Sequence, residues 1–165
     1  MNRALLLFLL LLGISLVSCN RGNDESESSI PVDDEETGKY NEELATKLGA
    51  DEYGMKKYVF AFLKAGPNRN QDSLTAANLQ RAHLENIRKL ADMGKLSLAG
   101  PFLDGGEIIG VYIFSVDSLE EAKQLTETDP AIQAGRLVME LHPWYGSAAL
   151  QQVNDLHKVL RKKKP

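Results

Sequence analysis

The side chains best suited to proton chemistry in this chain are its three histidines, His83, His142 and His157. An imidazole titrates near neutrality and works as an acid or base when a carboxylate orients it. His83 recurs at i+4 steps with Leu79, Ile87 and Leu90, so it joins the apolar stripe of a helix. A histidine there is either a core residue satisfied by a backbone carbonyl or an inward-facing acid–base group. The stretch ELHPWYG, Glu140 to Gly146, holds the only tryptophan. In an extended strand Val138, Glu140, His142 and Trp144 share one face, and Met139, Leu141, Pro143 and Tyr145 the other. A carboxylate, an imidazole and an indole on one face fit either a subunit interface with paired polar groups or the wall of a small-molecule pocket. His157 and the terminal RKKKP read as a solvated helix end.

Other chemistries lack their residues. There is no Gly-rich phosphate loop, no GxSxG and no redox cofactor motif, so no cofactor is expected. His83, Asp129, Glu140 and His142 have the donor atoms for zinc or iron, but no HxH, HExxH or cysteine pair supports a site, and no metal is expected. No basic stripe with interleaved aromatics precedes the last few residues, which argues against nucleic acid.

The single cysteine, Cys19, excludes an internal disulfide. It follows a short positive start at Arg3 and an apolar stretch from Ala4 to Val17, which is short for a span of ~20 residues. Leu16-Val17-Ser18-Cys19 resembles a bacterial lipobox, which is cleaved before the cysteine and lipidated on it. Residues 1–18 are therefore expected to be a lipoprotein signal peptide, and the mature protein to sit extracytoplasmically in a bacterial cell envelope, anchored through the Cys19 lipid. Residues 19–53 follow as an acidic flexible tether. From Asn20 to Tyr53 eleven acidic residues face three basic ones, too polar to bury a core, with helix expected only near Asn41–Lys47.

The elements that must position the histidines lie in residues 54–146, one small domain. KKYVFAFLKAG (56–66) is a strand closed by Gly66-Pro67. Asp72 or Ser73 caps a helix that runs to about Met93 and stops at Gly94. KLSLAGPF is a second strand, LDGGE a turn favouring positive φ, and EIIGVYIFSV a third strand. Asp117 or Ser118 caps a second helix that ends at Asp129-Pro130, and GRLVMELHPWY is the fourth strand. The order β-α-β-β-α-β predicts an α+β, ferredoxin-like fold. Residues 147–165 add an amphipathic helix (Ser147 to Leu160, through Leu150, Val153, Leu156 and Leu160) and a basic tail. Strands one and three are apolar on both faces: Tyr58, Phe60 and Phe62 against Val59, Ala61 and Leu63, and Ile109, Val111 and Ile113 against Tyr112 and Phe114. Two helices cover only one face, so the other needs either the C-terminal helix or the sheet of a second subunit.

HLENIRKLADMGKLSLAGPF, GVYIFSVDSLEEAKQL and DPAIQAGRLVMELHPW resemble, in that order, the motifs of the YciI-like (YCII-related) family, over about residues 56–146. The resemblance implies a dimeric α+β barrel, hence a homodimer, and an enzyme-like site with a histidine–aspartate dyad. Carried onto this chain, the dyad is His83 with Asp129, which otherwise reads as the turn residue of a helix-ending Asp-Pro. Asp129 would fix the tautomer of His83 and leave its other nitrogen facing the pocket. Gly100-Pro101-Phe102 would shape the pocket wall, and Asp104, otherwise the lead residue of a turn, lies beside it in the chain. Glu140, His142 and Trp144 are expected in that pocket. The family's members are mostly bare cytoplasmic domains, so the leader, the tether and the C-terminal helix depart from it. The expected function is a small-molecule lyase or isomerase working by acid–base catalysis. A non-catalytic small-ligand binding or sensing module, or a structural dimer with a vestigial pocket, is the alternative.

Metabolic labelling with a radioactive fatty acid tests the leader. Wild type is expected to take up label and Cys19→Ala none; equal labelling of the two overturns the lipobox reading.

Overall fold

The computed structural model describes residues 38–163; the leader, Cys19, the tether to residue 37 and the last two residues lie outside them. The folded unit begins at Tyr40. Four strands and two main helices alternate as β1 (Met55–Ala65), α2 (Ser73–Asp92), β2 (Leu96–Pro101), β3 (Ile108–Phe114), α3 (Leu119–Thr126) and β4 (Leu137–Ser147). A short α1 (Glu42–Leu48) precedes them and α5 (Val153–Leu160) ends the chain. The strands form one antiparallel sheet in the order β2-β3-β1-β4, which is the ferredoxin-like arrangement expected from the sequence.

The helices start where side-chain oxygens can satisfy their free amides. Asp72 accepts from the amides of Leu74 and Thr75, and Ser118 from that of Glu121, caps worth about 1 kcal/mol each. Strand register then sets two faces. Val59 pairs with Phe114 and Pro143, and Ala61 with Tyr112 and Leu141, so these residues point to the helix side. The core lies there, between the sheet and α2 and α3, around Val59, Ala61, Leu63, Leu90, Leu96 and Phe114. Tyr58, Phe60, Phe62 and Lys64 point the other way, with Trp144, His142, Glu140 and Val138 beside them on β4 and Ile113 and Val111 on β3.

Three expectations change. The helix expected near Asn41–Lys47 is present as α1, capped by Asn41 and closed by Gly49 at φ 67°, but it belongs to the folded unit, which starts at Tyr40 rather than Gly54. The segment after Asp129 is not merely a helix stop: Pro130–Gln133 make one further turn, α4, with proline at its start. The C-terminal segment is not one helix but a 3-10 turn, Ala148–Gln152, followed by α5. That 3-10 turn crosses the end of the second sheet face. Tyr58 donates to the Ser147 carbonyl at 3.0 Å, and Gln151 reaches Ser115 Oγ at 2.5 Å. Tyr58 and Ile113 are buried in consequence, whereas Phe60, Phe62 and Val111 stay half-buried.

Candidate active site

α2 places His83, Asn86 and Leu90 on its buried stripe, one turn apart, against the sheet. The turn between α3 and α4 is tied to that stripe twice. Thr128 Oγ1 donates to Asn86 Oδ1 at 3.1 Å, and His83 Nδ1 lies 2.5 Å from Asp129 Oδ2. The pair, 46 residues apart in the chain, is buried on both sides, with Asp129 only 1% exposed and His83 5%. The other oxygen of Asp129 accepts from the Ala131 amide at 2.8 Å, which caps α4. Asp129 is thus the end of a helix, as Asp-Pro predicts, and also the partner of His83.

This arrangement fixes the imidazole tautomer. A carboxylate oxygen can only accept, so Nδ1 carries the proton and Nε2 presents its lone pair. Nε2 faces the hydroxyl of Tyr112, 3.4 Å away on β3, and the two rings lie 6.2 Å apart at 34°. Burial, and then the charge of Asp129, push the Tyr112 hydroxyl far above its ordinary value. Tyr112 therefore stays protonated and acts as a donor.

Beside His83 and Tyr112 opens a cavity of about 350 Å³ between α2 and the ends of β1, β2 and β3. Leu63, Leu84, Ile87, Ile109 and Leu137 give apolar walls, Gly100 and Pro101 one side, and Gln80 a polar edge. Gly110 forms part of it because a Cβ there would come within 2.9 Å of the Gly100 carbonyl and 3.6 Å of Leu63. Gly100 and Pro101 take the wall position expected of them. Phe102 and Asp104 do not: both are exposed in the β2–β3 loop and neither lines the cavity. The Asp104 carboxylate accepts from the Gly106 amide at 3.1 Å, which makes it a turn residue.

Glu140, His142 and Trp144 share a face, as strand parity requires, but it is the face opposite His83. They are not part of the cavity, and the four candidate metal ligands cannot converge on one ion. No group of three or more ligating side chains occurs among the described residues. On the second face Glu140 is held by Lys64 at 2.9 Å and by His142 Nε2 at 2.9 Å, and Lys64 also reaches Glu107 at 3.3 Å. The bond from Lys64, then that from His142, draws the Glu140 carboxyl below its usual range, and Glu140 and Glu107 raise Lys64. Trp144 packs edge-on to Phe60 at 5.8 Å and against Tyr58 at 5.7 Å. Its ring also lies over Gly146, where a Cβ would meet the indole at 2.1 Å. The glycine of WYG is thus the seat of the tryptophan.

Tyr112 and Gln80 were not anticipated as site residues. Strand parity separated Tyr112 from Val111 and Ile113; what the sequence lacks is the side the helices cover and the register that brings Tyr112 level with His83.

A family model described as "YCII-related domain" matches residues 60–145. Among curated proteins, an uncharacterized Bacillus subtilis protein, YjpA, is 32% identical over 62 residues, which are 38% of this chain and 71% of that protein. Among solved structures, 5-chloro-2-hydroxyhydroquinone dehydrochlorinase from Burkholderia phenoliruptrix AC1100, in complex with 2,5-dihydroxybenzoquinone, is similar with a TM-score of 0.40 and 22% identity. That alignment covers 52% of this chain and 92% of the other.

Removing the carboxylate tests the pair. Asp129→Ala leaves His83 Nδ1 and the Ala131 amide buried without an acceptor and is expected to cost about 3 kcal/mol in denaturant unfolding. In Asp129→Asn the NMR resonance of the His83 Nδ1 proton is expected to move because its charged acceptor is gone; an unchanged resonance means that the two side chains do not touch in solution.

Proposed function

This chain belongs to the YCII-related domain family, and we propose that it binds a small organic molecule beside His83 and transfers a proton on it, as a lyase or isomerase. The observation that carries this reading is the buried His83–Asp129 pair, whose second nitrogen meets the Tyr112 hydroxyl where both residues line a cavity. A histidine serving only the core needs one satisfied nitrogen and no adjoining space.

The residues have distinct roles in this reading. His83 Nε2 takes a proton from a carbon or hydroxyl of the ligand. Asp129 stabilises the imidazolium formed and holds the ring, without itself becoming protonated. The Tyr112 hydroxyl, kept neutral by burial, donates to the oxygen on which negative charge develops. The walls accept a ligand that is mostly apolar, with one or two oxygens at the His83–Tyr112 end. Apart from His83, no side chain lining the cavity is charged, and Asp129 lies behind it, so a neutral molecule is favoured over an anion.

The second sheet face supports a further part of the reading. Phe60, Phe62, Val111 and Trp144 leave an aromatic patch half-open, and the Lys64–Glu140–His142 network satisfies its own charges. We propose that a second copy of the chain covers it, closing an α+β barrel. The mature protein acts, in this reading, at the bacterial envelope, held there by the Cys19 lipid.

His83→Gln tests the chemistry: it is expected to keep the unfolding midpoint near that of wild type while abolishing the ligand-induced thermal shift and turnover in a screen of small carbonyl and hydroxyl compounds. Tyr112→Phe is expected to weaken binding about fivefold, one hydrogen bond's worth. Turnover retained in His83→Gln overturns the acid–base role, and a wild type that binds these compounds without turning any over is a binding module.

Light scattering on residues 20–165 tests the interface. A dimer is expected, and Phe62→Glu is expected to return a folded monomer; a wild-type monomer at micromolar concentration removes the second copy from the proposal.

A further inference from the structure

The C-terminal helix is docked through Val153 and Asn154 at its start, with polar residues following on the inward side. Asn154 Nδ2 donates to the Leu96 carbonyl at 2.6 Å, and Gln151, one turn before it, bonds Ser115 and Ser97. His157 and Arg161 follow on that side, lining a groove with α2 and β2. The opposite side carries Leu156, Val159 and Leu160, at i, i+3 and i+4, and these are 58%, 80% and 79% exposed. Of the stripe expected from the sequence, Leu150 and Val153 are half-buried, whereas Leu156 and Leu160 turn to water with Val159 and do not cover the sheet. A chain that turns a half-buried asparagine and glutamine toward the sheet and three aliphatic side chains to water leaves that apolar stripe for an outside surface.

Charge says which surface. Between Val153 and Lys163 there are four Lys and Arg residues against one acid, Asp155, and Asp155 is engaged by Lys158 at 3.0 Å. Lys162 and Lys163 are exposed directly after the helix. Aliphatic residues flanked by lysine and arginine on a short helix are the pattern of an interfacial helix that lies in the plane of an anionic bilayer. We infer that α5 is such a helix. Leu156, Val159 and Leu160 enter the headgroup–acyl boundary, and the exposed Lys162 and Lys163 meet lipid phosphates. This contact is separate from any lipid on Cys19, and it sets the orientation of the domain on the membrane.

The test uses the full chain carrying Cys19→Ser, with Val159→Cys bearing a polarity-sensitive dye, mixed with vesicles. The N-terminal apolar stretch could hold the chain on any vesicle, but only immersion of α5 moves the dye. A blue shift is expected with phosphatidylglycerol–phosphatidylcholine vesicles and none with phosphatidylcholine alone, and it is expected to fade as salt is raised. Lys162→Gln with Lys163→Gln is expected to weaken the response about twenty-five-fold, roughly fivefold per charge. Leu156→Asn with Leu160→Asn is expected to weaken it at least about tenfold. Three results overturn the inference: a dye unmoved on a chain that floats with the anionic vesicles, a shift that is equal on both vesicle types and indifferent to salt, or a shift that grows with protein concentration without lipid. The last assigns the stripe to a second copy instead.

Discussion

A buried carboxylate and a buried imidazole can be tolerated only if each satisfies the other, and much of this fold can be followed from that requirement. Asp129 lies in a turn and His83 in the middle of a helix, so their contact fixes where the α3–α4 turn sits along α2. The neighbouring Thr128–Asn86 bond repeats the constraint one turn further along α2. Once both are made, β4 must leave α4 at Leu137 in register with β1, and the sheet closes with β4 at its edge. An apolar pair at these two positions would pack as well and cost less to bury. The polar pair is held in place at a cost, beside a cavity. That combination is the physical ground for assigning it a function rather than a structural role.

The sheet has a second constraint, the surplus of apolar surface opposite the helices. The chain resolves part of it internally. The 3-10 turn covers Tyr58 and Ile113, and Trp144 folds down on Gly146 and Phe60, shielding the aromatic row of β1. What remains is an aromatic strip bordered by the Lys64–Glu140–His142 network. Because those charges already pair within one chain, burying them demands little new pairing from whatever covers them, and the strip presents its rings rather than bare charge.

Local signals were legible in the sequence and long-range ones were not. Asp72, Ser118 and Gly66-Pro67 mark element ends because each acts on amides or dihedrals a few residues away. Strand parity placed Glu140, His142 and Trp144 together for the same reason. Parity alone could not say that they face away from His83, since which side of a sheet a helix covers depends on how the chain crosses over. It is Met139 and Leu141, on the other face, that pack against the core under the helices. Asp129 shows the limit most clearly. Its local chemistry, a cap before Pro130, is complete without His83, so only likeness to the YCII-related family pointed to the second role. The C-terminal stripe failed differently: periodicity joined Leu150 and Val153 to Leu156 and Leu160, whereas in the structure the first two are half-buried and the last two face water with Val159, a rotation that Asn154 and Gln151 set through bonds to β2 and β3.

The electrostatics of the pocket then limit what chemistry it can host. Asp129 is the only acid at the site, and its two oxygens are committed to His83 and to the Ala131 amide. A proton arriving at Nε2 forms an imidazolium next to a carboxylate, so the pair becomes neutral overall while the ligand becomes negative. The one donor placed to meet that negative charge is Tyr112, whose hydroxyl burial keeps neutral. A ligand already carrying a carboxylate or phosphate would bring a second negative charge into a cavity with no lysine or arginine on its walls. It would have to be desolvated before His83 is protonated, with nothing to compensate it. Under the proposed function the site is therefore matched to neutral molecules whose charge appears only as the proton moves, and an enol or phenol oxygen beside Tyr112 fits that sequence of charges.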